Sequence, residues 1–343
     1  MSERAELPAE MRAVIQLGEG YSDTATGPML EDAAPFLEHA TIPVPQPGEG
    51  QVLIKVALGA VNPSDIHFVK GEYGRPRERG VPAGFEGTGT VVAGESPFLG
   101  QRVSFFAAHS GVWADYALTD ASACVPLRPD LQDTDAAGLL VNPLTAAAMF
   151  EEVKAAETES FLVTAAGSQL GKFLLGLGKD GGIAPIAVIR RAEQADALRE
   201  LGAAEVLVTT DPEFEAKARE VCRARKPRIM LDAVADPAAS TLFFAMPNRA
   251  RWVIYGKLST DLPVLTEPGQ FIFMSKRIEG FWLTKWMAEV PRERVGAAIA
   301  EVQARFADGR WTTDVAEIVA LDDLVARLPE ALRIPDGKVF IRP

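Results

Sequence analysis

The chain is poor in the two side chains that most often bind transition metals. It has only two cysteines, Cys124 and Cys222, and three histidines, His39, His67 and His109. Two isolated cysteines cannot build a disulfide framework or a multi-cysteine zinc site, so we expect buried free thiols. The histidines show no spacing that would cluster them as metal ligands, so we expect surface or packing roles for them.

Long apolar runs and an excess of basic residues are also lacking. No apolar run reaches the length that spans a bilayer, and the amino terminus lacks the apolar stretch of a signal peptide. We therefore expect a cytoplasmic protein with no membrane partner. Lys and Arg number 35 against 47 Asp and Glu, a formal net charge of −12. This charge repels phosphate backbones, so we expect a small-molecule substrate and no nucleic acid.

The pattern of hydrophobic residues changes along the chain. A length of 343 residues is too long for one ordinary core and predicts two domains. Before about residue 133, short β-branched runs alternate with glycine and proline, which predicts a small barrel or sandwich with little helix. From residue 161 to residue 255, strand-like and helix-like runs alternate, which is typical of a parallel sheet covered by helices. Because Pro185 would remove a ladder hydrogen bond, we predict that its strand begins at Ile186.

These patterns predict an α/β protein with a discontinuous catalytic domain. Residues 1–135 and 287–343 are assigned to the catalytic domain, and residues 136–286 to a Rossmann-type nucleotide domain with a doubly wound parallel sheet. A helix predicted over 290–306 belongs to the return segment. The cleft between the domains is the expected ligand site. The apolar run 270–274 predicts an exposed strand, and hence a homodimer formed by strand pairing.

The chain centres on residues 161–171, where an apolar run meets a turn of small residues and then a helical pattern. The spacing approaches the Gly-x-Gly-x-x-Gly fingerprint, with Ala166 and Ser168 at the first two glycine positions and Gly171 at the third. A helix that begins after such a turn directs free backbone N–H groups at a phosphate. The residues predicted to bind the cofactor here are Ala166, Gly167, Ser168, Gln169, Leu170 and Gly171. The alternative is a purely structural turn.

Two arginines follow the second strand of this unit and indicate which nicotinamide is bound. NAD-binding proteins carry an acidic residue about 20 positions after the glycine turn, where it binds the ribose 2′-hydroxyl. Here Arg190 and Arg191 occupy the end of the strand. Guanidinium groups bind a 2′-phosphate by charge-assisted hydrogen bonds, so NADPH is the predicted cofactor. The alternative is that both arginines are a solvated start to the next helix.

Four stretches together are similar to the medium-chain dehydrogenase/reductase superfamily. They are residues 59–65, residues 84–89, the turn at 165–171 and the closing 337–343. The resemblance covers nearly the whole chain and implies a GroES-like catalytic domain beside the Rossmann domain. In zinc-containing members, a Cys near the position of Asn62 and a His at the position of Phe85 hold a catalytic metal. Neither is present here, so the resemblance implies no metal and makes alcohol dehydrogenation the poorer hypothesis.

Within the zinc-free branch, the chain resembles the 2-enoyl thioester reductases and the quinone oxidoreductases. Residues 62–73, 141–146 and 280–286 favour the enoyl reductases. In that family a tyrosine at the position of Tyr73 is thought to protonate the substrate after hydride delivery, which a phenol within reach of Cα can do. The alternative for Tyr73 is a loop aromatic without a chemical role. Asn62 is assigned to the catalytic site as a hydrogen-bond partner of a ribose or a substrate carbonyl, or else it caps the next turn.

The same resemblance adds further residues to the cofactor site. The positions are Thr145, Tyr255, Phe281, Trp282 and Lys338. For each of the first four residues, the alternative is a packing role in a helix or in the core. For Lys338 the alternative is a solvated side chain. A charged run in one loop could bind a CoA thioester or could simply be hydrated. Its members are Lys70, Arg75, Arg77 and Arg79.

Three functions remain open from the sequence. The first is an NADPH-dependent reductase of an activated C=C bond in a thioester or ketone. The second is an NADPH:quinone oxidoreductase, which needs the same cofactor but no proton donor. The third is a non-catalytic nucleotide-binding protein, because a fold does not fix a function.

Overall fold

The computed structural model describes residues 7–107 and 109–343. Residues 1–6, which belong to the amino-terminal segment where no signal peptide is predicted, lie outside the described residues. The chain divides into two compact units, residues 1–141 with 312–343, and residues 142–311. No helix of the described residues is long and apolar enough to cross a membrane.

The first unit is built mainly from antiparallel strands. Its strands are β1 Glu10–Gln16, β2 Leu37–Pro43, β3 Gln51–Val61, β4 Glu86–Ala93, β5 Arg102–Phe106, β6 Tyr116–Asp120, β7 Cys124–Pro126, β14 Val315–Ala320 and β15 Lys338–Arg342. Strands β1 and β2 form a hairpin-like pair, and the larger sheet has the order β14-β15-β3-β4-β5-β7, with β6 also paired to β3. Its core contains Trp113 and Phe105, both fully buried. The predicted β-rich character of this region is confirmed.

Three helices accompany these strands. They are α1 Pro63–Val69, α2 Asp133–Ala137 and α11 Leu324–Ala331. Helix α1 was not predicted, because Pro63 reads as a helix breaker in sequence. Proline is tolerated at the first helical position, where its missing N–H has no intrahelical partner in any case. Asn62 takes the extended N-cap conformation, and the Asp65 carboxylate accepts a hydrogen bond from its N–H at 2.7 Å.

The second unit is a parallel six-stranded sheet with helices between its strands. The strands are β8 Ser160–Val163, β9 Ala184–Ile189, β10 Glu205–Val208, β11 Ile229–Asp232, β12 Arg251–Ile254 and β13 Arg277–Gly280. The helices are α3 Asn142–Ala155, α4 Gln169–Gly181, α5 Ala195–Glu200, α6 Phe214–Arg225, α7 Pro237–Ala245, α8 Gly269–Phe273, α9 Leu283–Glu289 and α10 Arg292–Ala307. The order β10-β9-β8-β11-β12-β13 is the doubly wound topology, which confirms the predicted α/β fold. Its switch point lies between β8 and β11.

Three sequence predictions about this unit are wrong in detail. Strand β9 begins at Ala184 rather than at Ile186. Its ladder with β10 begins only at Ile186, so the missing N–H of Pro185 falls outside that ladder. The helix predicted over 290–306 is α10, but it belongs to this unit rather than to the return segment, which begins at Thr312. Phe306 of α10 packs edge-on against Phe173 of α4 at 5.6 Å, which ties the helix to this core.

The third correction concerns residues 270–274, which form most of helix α8 and not a strand. Phe271 packs against Phe243 at 5.8 Å, while Ile272 and Phe273 point to solvent and are 72% and 82% exposed. A run of four apolar residues, such as 271–274, does not distinguish helix from strand by periodicity. The edge strand of the sheet is the next element, β13. The two cysteines are free and buried, as predicted.

Candidate active site

A buried polar network lies in the first unit around Glu86, at the start of β4. Its carboxylate accepts hydrogen bonds from the Asn62 side-chain amide at 2.9 Å and from the backbone N–H groups of Leu140 and Val141 at 2.9 and 2.8 Å. Lys338, at the start of β15, donates to Asn62 Oδ1 at 2.5 Å and lies 3.8 Å from Glu86. All three side chains are almost completely buried. The network therefore joins four separate chain segments, at Asn62, Glu86, residues 140–141 and Lys338.

This network bears on the interpretation of Asn62 and Lys338. Both ends of the Asn62 amide are hydrogen-bonded to protein groups, and the Lys338 ammonium is paired within the same cluster. An ammonium has three donors and an amide nitrogen has two, so both residues keep hydrogen-bonding capacity beyond these bonds. The network therefore positions both side chains, and their contact with a ligand stays a prediction.

Asp65 lies beside this network on α1. Its carboxylate accepts hydrogen bonds from the backbone N–H groups of Asn62 and Phe85, both at 2.7 Å. Burial raises the pKa of Asp65 to about 7, and the neighbouring charge of Glu86 acts in the same direction. Burial also lowers the pKa of Lys338, although the charge of Glu86 opposes that shift. The cluster therefore holds charged groups at a free-energy cost that its hydrogen bonds offset.

The donor set at this location does not fit a catalytic zinc ion. Zinc requires thiolate, imidazole or carboxylate ligands in a tetrahedral array. Phe85 offers no lone pair, and Asn62 is bonded to Glu86 and Lys338. Among the described residues, no three His, Cys, Asp or Glu side chains are grouped to hold a metal.

Tyr73 lies in the turn after α1, against an aromatic cluster. Its ring centroid is 5.1 Å from that of Phe85 and 6.2 Å from that of Phe68, and the Phe68 and Phe85 rings are 5.0 Å apart. The guanidinium of Arg75 lies over both phenyl rings, 4.7 Å from the Phe68 centroid and 4.8 Å from the Phe85 centroid. A phenol and a guanidinium therefore share one apolar surface, and Tyr73 is half-buried there.

The other basic residues of this loop are not collected into one cluster. The Lys70 ammonium is buried and donates to the carbonyls of Gly27 and Met29 at 2.5 and 3.2 Å. The Arg77 guanidinium donates to the carbonyls of Gly20 and Val69 at 3.2 and 3.1 Å. These two cations hold loop backbone in place, so they do not form the CoA-binding charge that the sequence suggested.

Glu72, in the same loop, contacts Thr26 and His67. It accepts hydrogen bonds from the backbone and hydroxyl of Thr26 and lies 3.1 Å from His67 Nδ1. Those bonds lower the pKa of Glu72 although partial burial opposes the shift. His67 is therefore a buried residue whose ring nitrogen is paired with Glu72.

The small-residue turn of the second unit has the predicted strand–turn–helix form. Strand β8 ends at Val163, the turn passes through Ala165 with a φ of +47°, and α4 begins at Gln169. Ser168 is the N-cap, and its hydroxyl accepts a hydrogen bond from the N–H of Gly171 at 3.1 Å. The first N–H groups of a helix have no intrahelical acceptors, so the start of α4 can bind a phosphate.

The distances around this turn show where a side chain larger than glycine would clash. A Cβ at Gly171 would lie 2.6 Å from both the Cα and the carbonyl oxygen of Ala166. A Cβ at Gly167 would lie 2.6 Å from the Gln194 amide, which is a side chain that can move. Ala166 is fully buried, so its methyl group is accommodated at the first glycine position. The turn fits a dinucleotide although two of the three glycines are absent.

Arg190 follows directly after β9 and is exposed. Within the described part of the chain, its guanidinium makes no hydrogen bond or ion pair, while its carbonyl accepts one from Thr210 at 3.0 Å. Arg191 is half-buried and has other contacts. A guanidinium at the carboxyl end of the second strand is where a 2′-phosphate is bound in this fold. The position of Arg190 therefore suits NADPH.

Asp232 lies at the switch point of the sheet, at the end of β11. Its carboxylate is fully buried and accepts bonds from the Thr164 hydroxyl at 2.5 Å, the Trp252 indole at 2.8 Å and the Val234 N–H at 2.9 Å. Burial raises its pKa despite these bonds. Tyr255 follows β12 beside it, and the Tyr255 hydroxyl is buried without a hydrogen-bond partner among the described residues. Burial and the Asp232 charge raise the pKa of that phenol.

The remaining predicted residues of the cofactor site are dispersed over the second unit. Thr145 is buried on α3, Phe281 is half-buried after β13, and Trp282 is 41% exposed at the N-cap of α9. No contact of the described residues assigns these three to a ligand. Their place in the cofactor site stays a prediction.

Sequence reasoning missed Asp65, Glu86 and Asp232 as charged groups that organise the sites. Glu86 is the third residue of the quoted stretch 84–89, and its role could have been suspected from a carboxylate that opens a buried strand. Asp232 directly follows three apolar residues at a strand end, which is a recognisable signal. No pattern in the sequence indicates that Lys338 reaches Asn62, because they are 276 residues apart.

Both units are similar to domains of known proteins. A family model described as "Alcohol dehydrogenase GroES-like domain" matches residues 48–129, and one described as "Zinc-binding dehydrogenase" matches residues 170–303. The mitochondrial enoyl-[acyl-carrier-protein] reductase of Bos taurus is 26% identical over 311 residues, 87% of this chain and 82% of the relative.

Solved structures extend the likeness. A Mesorhizobium loti protein that carries a provisional NADPH:quinone reductase name is 51% identical, with a TM-score of 0.95 over 99% of this chain and 100% of that protein. A mutant form of an enoyl thioester reductase from Candida tropicalis is 21% identical, with a TM-score of 0.77 over 97% of this chain and 100% of that one, a likeness of fold alone.

The GroES-like unit and the doubly wound sheet define a two-domain nucleotide-dependent oxidoreductase. The chain belongs to the zinc-free branch of the medium-chain dehydrogenase/reductase superfamily. Its named relatives are reductases, which confirms the predicted class of enzyme and outweighs the non-catalytic alternative.

Proposed function

We propose that this protein reduces an activated C=C bond, in an enoyl thioester or an enone, with NADPH and without zinc. The observation that carries the proposal is the half-buried Tyr73 against Phe85 and Phe68. Where zinc-containing relatives have a histidine ligand, this chain has a phenylalanine with a phenol 5.1 Å from it, centroid to centroid. A proton donor without a Lewis acid suits addition to a C=C bond better than alcohol oxidation.

NADPH is the proposed cofactor because three features of the second unit suit it. The start of α4 offers backbone N–H groups for the pyrophosphate, and Gly171 lets the helix approach the turn. Arg190 offers an unpaired guanidinium for the 2′-phosphate. An Arg at this position favours NADPH over NADH because its positive charge pairs with the 2′-phosphate. An acidic residue there would repel that phosphate.

The chain's own residues then have separate tasks. Bound NADPH supplies a hydride to the β-carbon of the acceptor. The Tyr73 hydroxyl donates its proton to Cα and recovers one from solvent. Phe68 and Phe85 hold the phenol on an apolar surface, which keeps its orientation fixed. The network of Glu86, Asn62 and Lys338 holds the segment at Leu140 and Val141 in place.

A quinone is the second candidate acceptor. It is favoured by the 51% identity to the Mesorhizobium loti protein named for quinone reduction. Reduction of a quinone forms a hydroquinone whose oxygens take protons from water, so it does not require Tyr73. The two candidates therefore differ in how strongly they depend on one hydroxyl group.

The test is NADPH oxidation by the purified protein with crotonyl-CoA, a small neutral enone and a quinone. Tyr73→Phe is measured beside the wild type, with Tyr116→Phe, a half-buried tyrosine on β6, as the matched control. We expect Tyr73→Phe to lower enoyl and enone turnover by roughly 10²-fold, which is the usual contribution of a general acid. Equal turnover of both substrates by mutant and wild type, with fast quinone reduction, would assign the protein to quinone reduction.

A homodimer and a cytoplasmic location complete the proposal. Strand β13 ends the parallel sheet and has one unpaired edge, and Ile272 and Phe273 of α8 are exposed. An edge strand near exposed apolar side chains favours pairing with a second copy. The cytoplasmic location rests on the sequence alone and is testable by cell fractionation.

A further inference from the structure

Arg75 differs from Lys70 and Arg77 because its N–H groups are not bonded to other residues of the described chain. Lys70 and Arg77 donate to backbone carbonyls, whereas Arg75 makes no hydrogen bond or ion pair with any residue that the structure describes. Burial lowers the pKa of Arg75, and the charges of Tyr73 and Asp65 oppose that shift. An arginine stays protonated in proteins, so a permanent cation lies at this position.

The two phenyl rings fix where this cation is. Its Cζ lies 4.7 and 4.8 Å from the centroids of Phe68 and Phe85, within the range of a cation–π interaction. A cation–π contact uses the charge of the guanidinium and none of its N–H donors, so these donors stay available to a hydrogen-bond acceptor. The side chain is therefore held in place while its donors remain available.

Tyr73 shares the same rings, with centroid distances of 5.1 Å to Phe85 and 6.2 Å to Phe68. In the proposed reaction the proton joins Cα while negative charge collects on the carbonyl oxygen, which is separated from Cα by one carbon. A phenol that reaches Cα thus has that oxygen beside it. Among the loop cations Lys70, Arg75 and Arg77, only Arg75 combines contact with this aromatic cluster and unused donors.

We propose that Arg75 binds the carbonyl oxygen of the acceptor and stabilises the negative charge that this oxygen gains during reduction. The inference rests on the proposed function. A hydride from NADPH forms the new bond to Cβ, the π electrons of the C=C bond move to give an enolate, and NADPH becomes NADP⁺. The enolate oxygen accepts hydrogen bonds from Arg75, and the Tyr73 proton then forms the Cα–H bond while the enolate returns to a carbonyl.

This assignment separates the roles of the two side chains. A quinone also gains negative charge on oxygen when it accepts a hydride, so Arg75 acts on quinones and on enones. Tyr73 acts only where a carbon must be protonated. Loss of Arg75 therefore lowers the turnover of every acceptor class, whereas loss of the Tyr73 hydroxyl lowers only the enone and enoyl reactions.

The experiment compares Arg75→Ala and Arg75→Lys with Arg79→Ala, an exposed arginine of the same loop that gives the same change of charge. Turnover is measured with a neutral enone, crotonyl-CoA and a quinone, together with the NADPH dissociation constant and thermal unfolding. We expect Arg75→Ala to lower kcat/KM for all three acceptors by about 10²-fold, as expected for a lost oxyanion donor. For Arg75→Ala, NADPH binding and the Tm stay unchanged, and Arg79→Ala stays within about twofold of wild type with the neutral enone and the quinone.

Chemical rescue provides the readout that a purely structural role would not give. Guanidinium chloride at a few millimolar, far below denaturing concentrations, should restore part of the Arg75→Ala activity and leave the wild type unchanged. Arg75→Lys should retain an intermediate rate because it keeps the charge but not the planar fork.

Three results would overturn the inference. They are wild-type rates for the neutral acceptors in Arg75→Ala, a loss confined to crotonyl-CoA, which would assign Arg75 to the CoA phosphates, and an absence of guanidinium rescue. If Tyr73→Phe still impairs enone reduction in any of these cases, only the role of Arg75 fails. If the wild type reduces no enone or enoyl substrate, the proposed function fails as well.

Discussion

The close approach of α4 to the nucleotide turn predicts a strong effect of one added methyl group at Gly171. In Gly171→Ala, the new Cβ would lie 2.6 Å from both the Cα and the carbonyl oxygen of Ala166, roughly 0.8 Å closer than an ordinary contact. Both neighbours are backbone atoms, so the start of the helix must move away. Overpacking of this kind costs about 1–3 kcal/mol, from which a better helix propensity recovers at most about 1 kcal/mol.

Gly176→Ala is the matched control, because it adds the same methyl group to the same helix. There the Cβ would lie 3.3 Å from the Trp311 indole nitrogen, a side chain that needs to move only slightly. We expect this variant to be as stable as wild type or up to about 1 kcal/mol more stable. Gly171→Ala should be less stable than wild type and less stable than the control.

Urea unfolding of both variants and the wild type measures the free energy of unfolding. A fluorescence titration with NADPH measures the dissociation constant of the cofactor. A displaced helix start loses hydrogen bonds to the pyrophosphate, so we expect roughly a tenfold weaker NADPH affinity, equivalent to about 1.4 kcal/mol. If Gly171→Ala matches Gly176→Ala in both stability and NADPH affinity, then the turn and α4 are not packed as described and the fit to a dinucleotide loses its basis.

Four further predictions address separate parts of the account. Arg190→Ala should weaken NADPH binding about tenfold or more with little effect on NADH, measured by titration with both cofactors, and an equal effect on the two would contradict 2′-phosphate recognition. Tyr255→Phe removes a buried hydroxyl without a partner, so the free energy of unfolding should stay equal or rise by up to about 1 kcal/mol, and a clear loss of stability in urea would show that the hydroxyl is bonded. Because burial raises the pKa of Asp65 to about 7, the folded chain retains a proton that the unfolded chain releases between about pH 4 and pH 7, so this group makes stability fall as pH rises through that window. Urea midpoints of Asp65→Asn should fall less steeply there, and an identical slope would oppose the assignment. Phe273→Glu should convert a dimer into a monomer by light scattering, and an unchanged mass would remove α8 from the interface.

The sequence predicts the fold well where its signals are local. The alternation of strand-like and helix-like runs from 161 to 255 predicts the parallel sheet that the structure contains. Local signals fail where tertiary contacts decide. Phe271 packs against Phe243, which favours a helix for a run whose pattern fits a strand equally well. Phe306 packs against Phe173, which assigns α10 to the second unit, and no feature of the α10 sequence specifies that partner.

The residues of the candidate site also differ in whether local sequence signals or tertiary contacts determine their positions. The nucleotide turn and Arg190 are predictable because strand, turn and helix are consecutive in sequence. Asn62 and Lys338 were both assigned to the site from the sequence, but the hydrogen bond between them joins positions 276 residues apart, which no sequence pattern indicates. The cation–π contact of Arg75 with Phe68 and Phe85 likewise depends on how the chain folds around α1 and the loop after it. The sequence around each residue does not indicate this contact.

The central claim is that hydride from NADPH adds to the β-carbon of a C=C bond. The most direct measurement is reduction of a small enone with NADPH deuterated at the transferable position of C4, followed by NMR of the product. The account predicts a saturated ketone with one deuterium at Cβ and a solvent proton at Cα. Deuterium on the carbonyl carbon, in an allylic alcohol, would contradict it, as would recovery of the enone unchanged under conditions in which a quinone is reduced.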